Sequence, residues 1–135
     1  MAKHALPSRT RQKAALSIDR RRMGEAMQDI EVTLCFIRDK AREYGEALSN
    51  REFLKEFRKS KKALLIIEAE REGIKDQQAR ESYAYAHEDY LMLLEGLKDA
   101  IQLEAILRMQ IKAAELRIEV WKSQNFRASA EMRLT

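Results

Sequence analysis

Apolar residues recur along this chain at alternating steps of three and four, the spacing that places side chains on one face of a helix. Met23, Met27, Ile30, Leu34, Ile37, Ala41, Tyr44 and Leu48 hold such a heptad row over four heptads. They predict a first long helix from about Asp19 to Leu48, with Ser17 or Asp19 as its N-cap. Ser49-Asn50-Arg51-Glu52 has the form of a capping box and predicts a turn and a fresh helix start. Phe53, Leu54, Phe57, Leu64, Ile67 and Ile74 are expected to form the buried side of that second helix. A break is expected near Gly73, with Asp76 capping a third helix. From Asp76 to about Phe126 there is no proline, and the only glycine is Gly96. This third helix is expected to have roughly 50 residues and a length of about 75 Å. Its row runs Tyr83, Ala86, Tyr90, Leu93, Leu97, Ala100, Leu107, Ile111, Ala114, Ile118 and Trp121, with Glu104 as the one polar member.

This pattern predicts an all-α fold: an antiparallel helical hairpin or three-helix, coiled-coil-like bundle with one very long C-terminal helix, assembled as an oligomer. The expected organisation is a flexible basic arm over 1–16, a helical bundle domain over 17–127 and a frayed tail over 128–135. If the chain turns at Ser49, the third helix overruns that turn by some 25 residues. Nothing within one chain then covers its apolar row. Self-association is the expected remedy, with Leu107, Ile111, Ile118 and Trp121 near the interface.

Composition agrees with long helices. Charged residues make up 36% of the 135, with four glycines and one proline. No run approaches the ~18 apolar residues of a membrane span, and no apolar segment succeeds the basic N-terminus as a secretory signal requires. The single Cys35 excludes an internal disulfide and is expected to be a buried, inert thiol in a reducing compartment.

Charge changes the picture more. The net +4 conceals alternating blocks: +6 over 1–22, −3 over 25–48, +4 over 51–62, −6 over 63–107 and +3 over 108–133. Arg51, Lys55, Arg58 and Lys62 recur at steps of four, three and four, with Lys59 and Lys61 flanking them. Such a stripe can follow a phosphate backbone without reading bases. With a turn at Ser49, this stripe and the basic 108–133 block come to one end of the molecule. The expected nucleic-acid contacts are therefore Arg51, Lys55, Arg58, Lys59 and Lys62, helped by Arg20, Arg21, Arg22, Lys122 and Arg127. Trp121 and Phe126 could stack on unpaired bases. The competing reading makes these cations solvated helix faces and the aromatics part of an oligomer core.

Catalytic chemistry finds little support. His87 is succeeded by Glu88 and Asp89, which point away from it on a helix. Glu68, Glu70 and Glu72 lack the histidine that a helical metal site needs. The four glycines stand apart, so no phosphate loop forms. No enzyme, metal, cofactor or small-molecule substrate is expected.

The runs Ala84-Tyr85-Ala86-His87-Glu88-Asp89-Tyr90 and Arg117-Ile118-Glu119-Val120-Trp121-Lys122-Ser123-Gln124-Asn125-Phe126-Arg127, with the basic ends, resemble small helical proteins of phages and prophages. The size and charge layout are similar to the recombination mediators of tailed phages, the UvsY type. That resemblance implies a cytoplasmic, oligomeric accessory protein that binds single-stranded DNA or a recombinase. The alternative is a protein-binding adaptor or inhibitor without nucleic-acid binding.

Overall fold

A computed structural model describes residues 8–134. It contains three helices: α1, Arg9–Arg71; α2, Gln77–Ala86; and α3, Glu88–Leu134. Among the described residues there is no strand. α1 has 63 residues and so is about 95 Å long. α2 and α3 return along it, and the molecule is a narrow helical hairpin with one reversal.

That reversal is at Gly73, as the sequence suggests. Gly73 has φ +90, in the left-handed region where a Cβ is penalised. Its amide donates to Glu70 O (3.1 Å), and the Ile74 amide donates to Ala69 O (3.1 Å). This pair of bonds is a Schellman stop and satisfies carbonyls that the helix end would otherwise leave open. Arg80 Nε donates to Ile74 O at 2.6 Å and ties the turn to α2. The Asp76 carboxylate accepts from the Ala79 amide at 3.0 Å and caps α2.

The expected turn at Ser49 is absent: α1 runs through it. A Ser-x-x-Glu pattern is also compatible with a helix interior, and here Glu52 accepts from Arg51 (2.8 Å) instead of closing a cap. A cap contributes ~1 kcal/mol, less than the packing gained by continuing along α3. Residues 9–16, expected as part of an arm, form the first turns of α1, and the chain stays helical to Leu134. The rest of the arm, 1–7, and Thr135 lie outside the described residues.

The expected third helix breaks once, at His87, which is extended (φ −66, ψ 137). His87 Nδ1 accepts from the Asp89 amide at 3.1 Å, so the imidazole caps α3. Its carbonyl accepts from the Tyr90 and Leu91 amides.

One seam joins the two limbs. On α3 it is the predicted row from Tyr90 to Trp121: Tyr90, Leu97, Ala100, Glu104, Leu107 and Ala114 are buried, and Leu93, Ile111, Ile118 and Trp121 are half-buried. On α1 the row is rotated from expectation. Ile30, Ile37 and Tyr44 take part, but Met27, Leu34 and Ala41 point outward and Ala26, Thr33, Lys40 and Ala47 face the seam. Small residues there leave room for the leucines and isoleucines of α3. Near the turn, Leu65, Ala84 and Tyr90 form a core cluster with Ile66 and Leu94 packed on it.

Two expectations fail with the Ser49 turn. The α3 row has no uncovered overhang, because the N-terminal half of α1 lies along it; Leu107 is buried within the chain. Cys35 is exposed, on the outside of α1.

Candidate nucleic-acid interface

The hairpin decides which charges meet. With the reversal at Gly73, the basic 51–62 block lies beside the acidic start of α3. Lys61 Nζ is 3.4 Å from Asp89 Oδ2, and Arg51 Nε is 4.0 Å from the buried Glu104. Arg108 approaches the same carboxylate at 3.7 Å. Lys59 pairs with Glu56 at 3.3 Å. Lys62 Nζ sits 4.5 Å from the Tyr85 ring centroid, and hydrogen bonding to Tyr85 raises its pKa above the ordinary lysine value. Arg58 is half-buried, and Lys55 is exposed. The predicted stripe thus divides: Arg51, Lys59, Lys61 and Lys62 are engaged within the chain. Of these cations, Arg51 and Lys61 pair across the two limbs.

The stripe and the remaining predicted cations do not share one end. Arg22 and Arg51 are 29 residues apart on one straight helix, about 44 Å. Lys122 and Arg127 lie on the last third of α3, alongside the N-terminal part of α1. Lys122 pairs with Glu119 at 3.3 Å. Trp121 is half-buried beside Ala26 and Ile30 and is largely unavailable for stacking, whereas Phe126 is exposed.

Arg20, Arg21 and Arg22 belong to a group wider than predicted. Residues 9–22 carry Arg9, Arg11, Lys13 and these three arginines against Asp19 alone. All are exposed on α1, and among the described residues none of the six enters an ion pair. Lys13, Leu16, Ser17, Arg20 and Arg21 line a shallow recess of about 450 Å³. The seam register puts Val32 near Val120, so with equal rise on both limbs α3 ends level with about residue 18 and the first turns of α1 project past it. Arg9, Arg11 and Lys13 form no stripe of regular spacing. Their signal in the sequence is the charge count from 9 to 22, which gains meaning only once that segment is helix and not arm.

The opposite end is acidic. Residues 63–95 hold eight acidic residues against three basic, a sum of −5. The Tyr83 hydroxyl donates to Glu68 Oε1 at 3.2 Å there. Burial, then the nearby Glu68 charge, raise the Tyr83 pKa. Among the described residues no group of three or more His, Cys, Asp or Glu is arranged to hold a metal ion, and no helix is long and apolar enough to cross a membrane.

A second surface corrects an expectation: Phe53, Phe57, Leu64 and Ile67, expected on a buried side, stay exposed because the seam of the continuous α1 runs past them. Val32, Phe36, Phe53, Phe57, Leu64 and Ile67 all flank the α1 seam on one side, and all are exposed. Phe53 and Phe57 stack with centroids 5.7 Å apart. Leu103, Ile106 and Val120 flank the α3 seam on the same side. Between the limbs this face forms a groove of about 620 Å³ lined by Val32, Phe36, Ala113 and Val120 among others. It continues into a second recess of about 540 Å³ at Ile106 and Met109. No protein-family model, curated protein or solved structure matches the chain.

Proposed function

We propose that this chain is a non-enzymatic, self-associating helical accessory protein that holds a phosphate backbone at the free end of its hairpin. The observation that supports this most is the concentration of cations without ion-pair partners on the first turns of α1, Arg9 to Arg22. They stand on one helix that projects beyond its neighbour and present charge around one shallow recess, without a rigid reading head. Such a surface binds a polyanion through counterion release and ignores base sequence. Phe126, exposed on the nearby limb, supplies a face on which an unpaired base can stack. Single-stranded DNA is therefore the proposed ligand. The resemblance to recombination mediators of tailed phages points the same way and suggests a recombinase or other DNA-bound machine as a protein partner in a bacterial cytoplasm.

Mobility-shift assays with single- and double-stranded DNA test this. Six phosphate contacts predict a log–log salt slope of roughly −4 for single strands. Reversing Arg20, Arg21 and Arg22 to glutamate should abolish retention. Lys55→Glu/Lys59→Glu, at exposed mid-rod positions, should change it little. No retention near about 50 mM salt, where backbone contacts are strongest, or unchanged binding in the arginine reversal, would refute the proposal.

The exposed aromatic face favours a second reading, a protein-binding adaptor that uses no nucleic acid. In that case the arginines are solvating charge, and pull-down of a partner should depend on Phe53 and Phe57 instead.

A further inference from the structure

The apolar groove on the Val32–Val120 side has no cover within the described residues. We infer that a second copy of this chain covers it, running antiparallel. This gives a face and an orientation to the self-association in the proposed function, and it rests on that part of the reading; it is independent of DNA binding.

Surface area gives the first argument. A compact monomer of 15.8 kDa exposes about 7,300 Å² by the usual mass scaling. This chain exposes 11527 Å². A rod exposes more surface than a sphere, and part of what this one exposes is a run of large apolar side chains. Val32, Phe36, Leu103, Ile106 and Val120 each keep more than a third of their surface open. Among the described residues, Leu65 is the only large side chain that is fully buried. Obligate dimers bury roughly 2,000 Å² or more, and an apolar face running from Val32 to Ile67 on each hairpin has the length for such an interface.

Charge gives the second argument and sets the direction. The free end, residues 8–30 with 122–134, carries nine basic residues against four acidic, a sum of +5. The turn end, 63–95, carries three against eight, a sum of −5. A rod so polarised repels a parallel copy and attracts an antiparallel one. A two-fold axis makes the patch self-complementary. The apolar face on α1 runs from Val32 to Ile67 and is centred near residue 50. An axis there sets each Gly73 turn beside about residue 27 of the other copy, with Arg20 to Arg22 just past the partner's acidic end. Arg9 to Lys13 then extend beyond the dimer and stay open to phosphate.

The native thiol supplies the probe. Cys35 is exposed, the only cysteine in the chain, and lies on the outer side of α1. Full-length protein would be spin-labelled there and its inter-label distance measured, alongside sedimentation equilibrium. Two labels 15 residues from the axis should be about 45 Å apart along the rod. A parallel pair would bring them within about 25 Å, the width of two or three helices. Phe36→Glu/Val120→Glu, at positions already exposed in the single chain, should give a helical monomer and erase the distance. Leu34→Glu, on the opposite flank of the seam, should leave both measurements unchanged. A parallel distance, or a dimer lost with Leu34→Glu and kept with the groove variant, overturns this inference while leaving self-association in place. A monomer at working concentration overturns both, and DNA retention by that monomer would show that the phosphate reading survives alone.

Discussion

Arg51 and Glu104 meet across the seam, with the guanidinium Nε 4.0 Å from the carboxylate and Glu104 only 5% exposed. Arg51 Nε is itself buried and has no hydrogen-bond partner. A charged layer in an otherwise apolar heptad row adds little net stability, because desolvation offsets the attraction. It does penalise every register that leaves Glu104 among leucines. Glu104→Ala should cost about 1–2 kcal/mol, in the range for a buried donor left without its partner, because Arg51 keeps 30% exposure and its 2.8 Å bond to Glu52. Arg51→Leu/Glu104→Leu should recover most of that loss. Urea unfolding of the three variants checks this, and a double variant as weak as the single one would contradict it.

Leu65 and Leu34 should behave in opposite ways although both belong to heptad-like rows. Leu65 is 2% exposed and Leu34 is 52% exposed. Leu65→Ala is expected to cost ~2–5 kcal/mol and Leu34→Ala to stay within ~0.5 kcal/mol. Equal losses would mean that the seam is rotated from the arrangement described.

Much of the hairpin is readable in the sequence, and the reasons for the remainder are specific. The α3 row, the glycine stop and the Asp76 cap are all legible, and the α3 row that keeps its heptad step from Tyr90 to Trp121 is the one that faces the seam. α1 carries two rows side by side, and periodicity alone cannot say which one faces the partner. Size complementarity decides it: the bulk on α3 selects Ala26 and Thr33 over Met27 and Leu34. Taking Ser49 for a turn then displaces the candidate site, since a reversal at 49 brings different charges together than one at 73. His87 as a helix cap carries no recognisable signal, as imidazole is not among the usual capping side chains.

Gly73→Ala should destabilise the hairpin by ~1–2 kcal/mol through backbone strain alone. No heavy atom outside its immediate chain neighbours lies within 4 Å of the Cβ it would gain, so there is no clash to relieve. Gly73→Asn should cost less, because asparagine tolerates the left-handed region. Thermal melts ranking glycine above asparagine above alanine are expected, and alanine matching wild type would contradict the strained turn.

Alkaline pH should loosen the turn end first. Lys62 and Tyr83 both have raised pKa values in the folded chain. For Lys62 the folded state favours the ammonium, and for Tyr83 it favours the neutral phenol. Each contribution is complete below the unfolded value, about 10 for tyrosine and about 10.4 for lysine, and disappears as pH rises through the higher folded value. The melting temperature should thus hold up to about pH 10 and fall as pH rises beyond those unfolded values. Lys62→Met/Tyr83→Phe should flatten that fall, and an unchanged slope would show that other groups cause it.

The placement of the core cluster beside the turn has a kinetic meaning. Leu65, Ala84 and Tyr90 come together by closing one of the shortest loops this topology contains. Every later pairing along the seam is presented by the one before it. Folding of such a hairpin runs as a zipper, started at Gly73 and propagated outward, with no long-range search at any step. The teeth weaken with distance: the last buried positions are Thr33 and Ala114, and past them the limbs are held by half-buried side chains only. Opening therefore begins where the arginines are, and the end offered to phosphate is the part of the rod that parts and recloses most often.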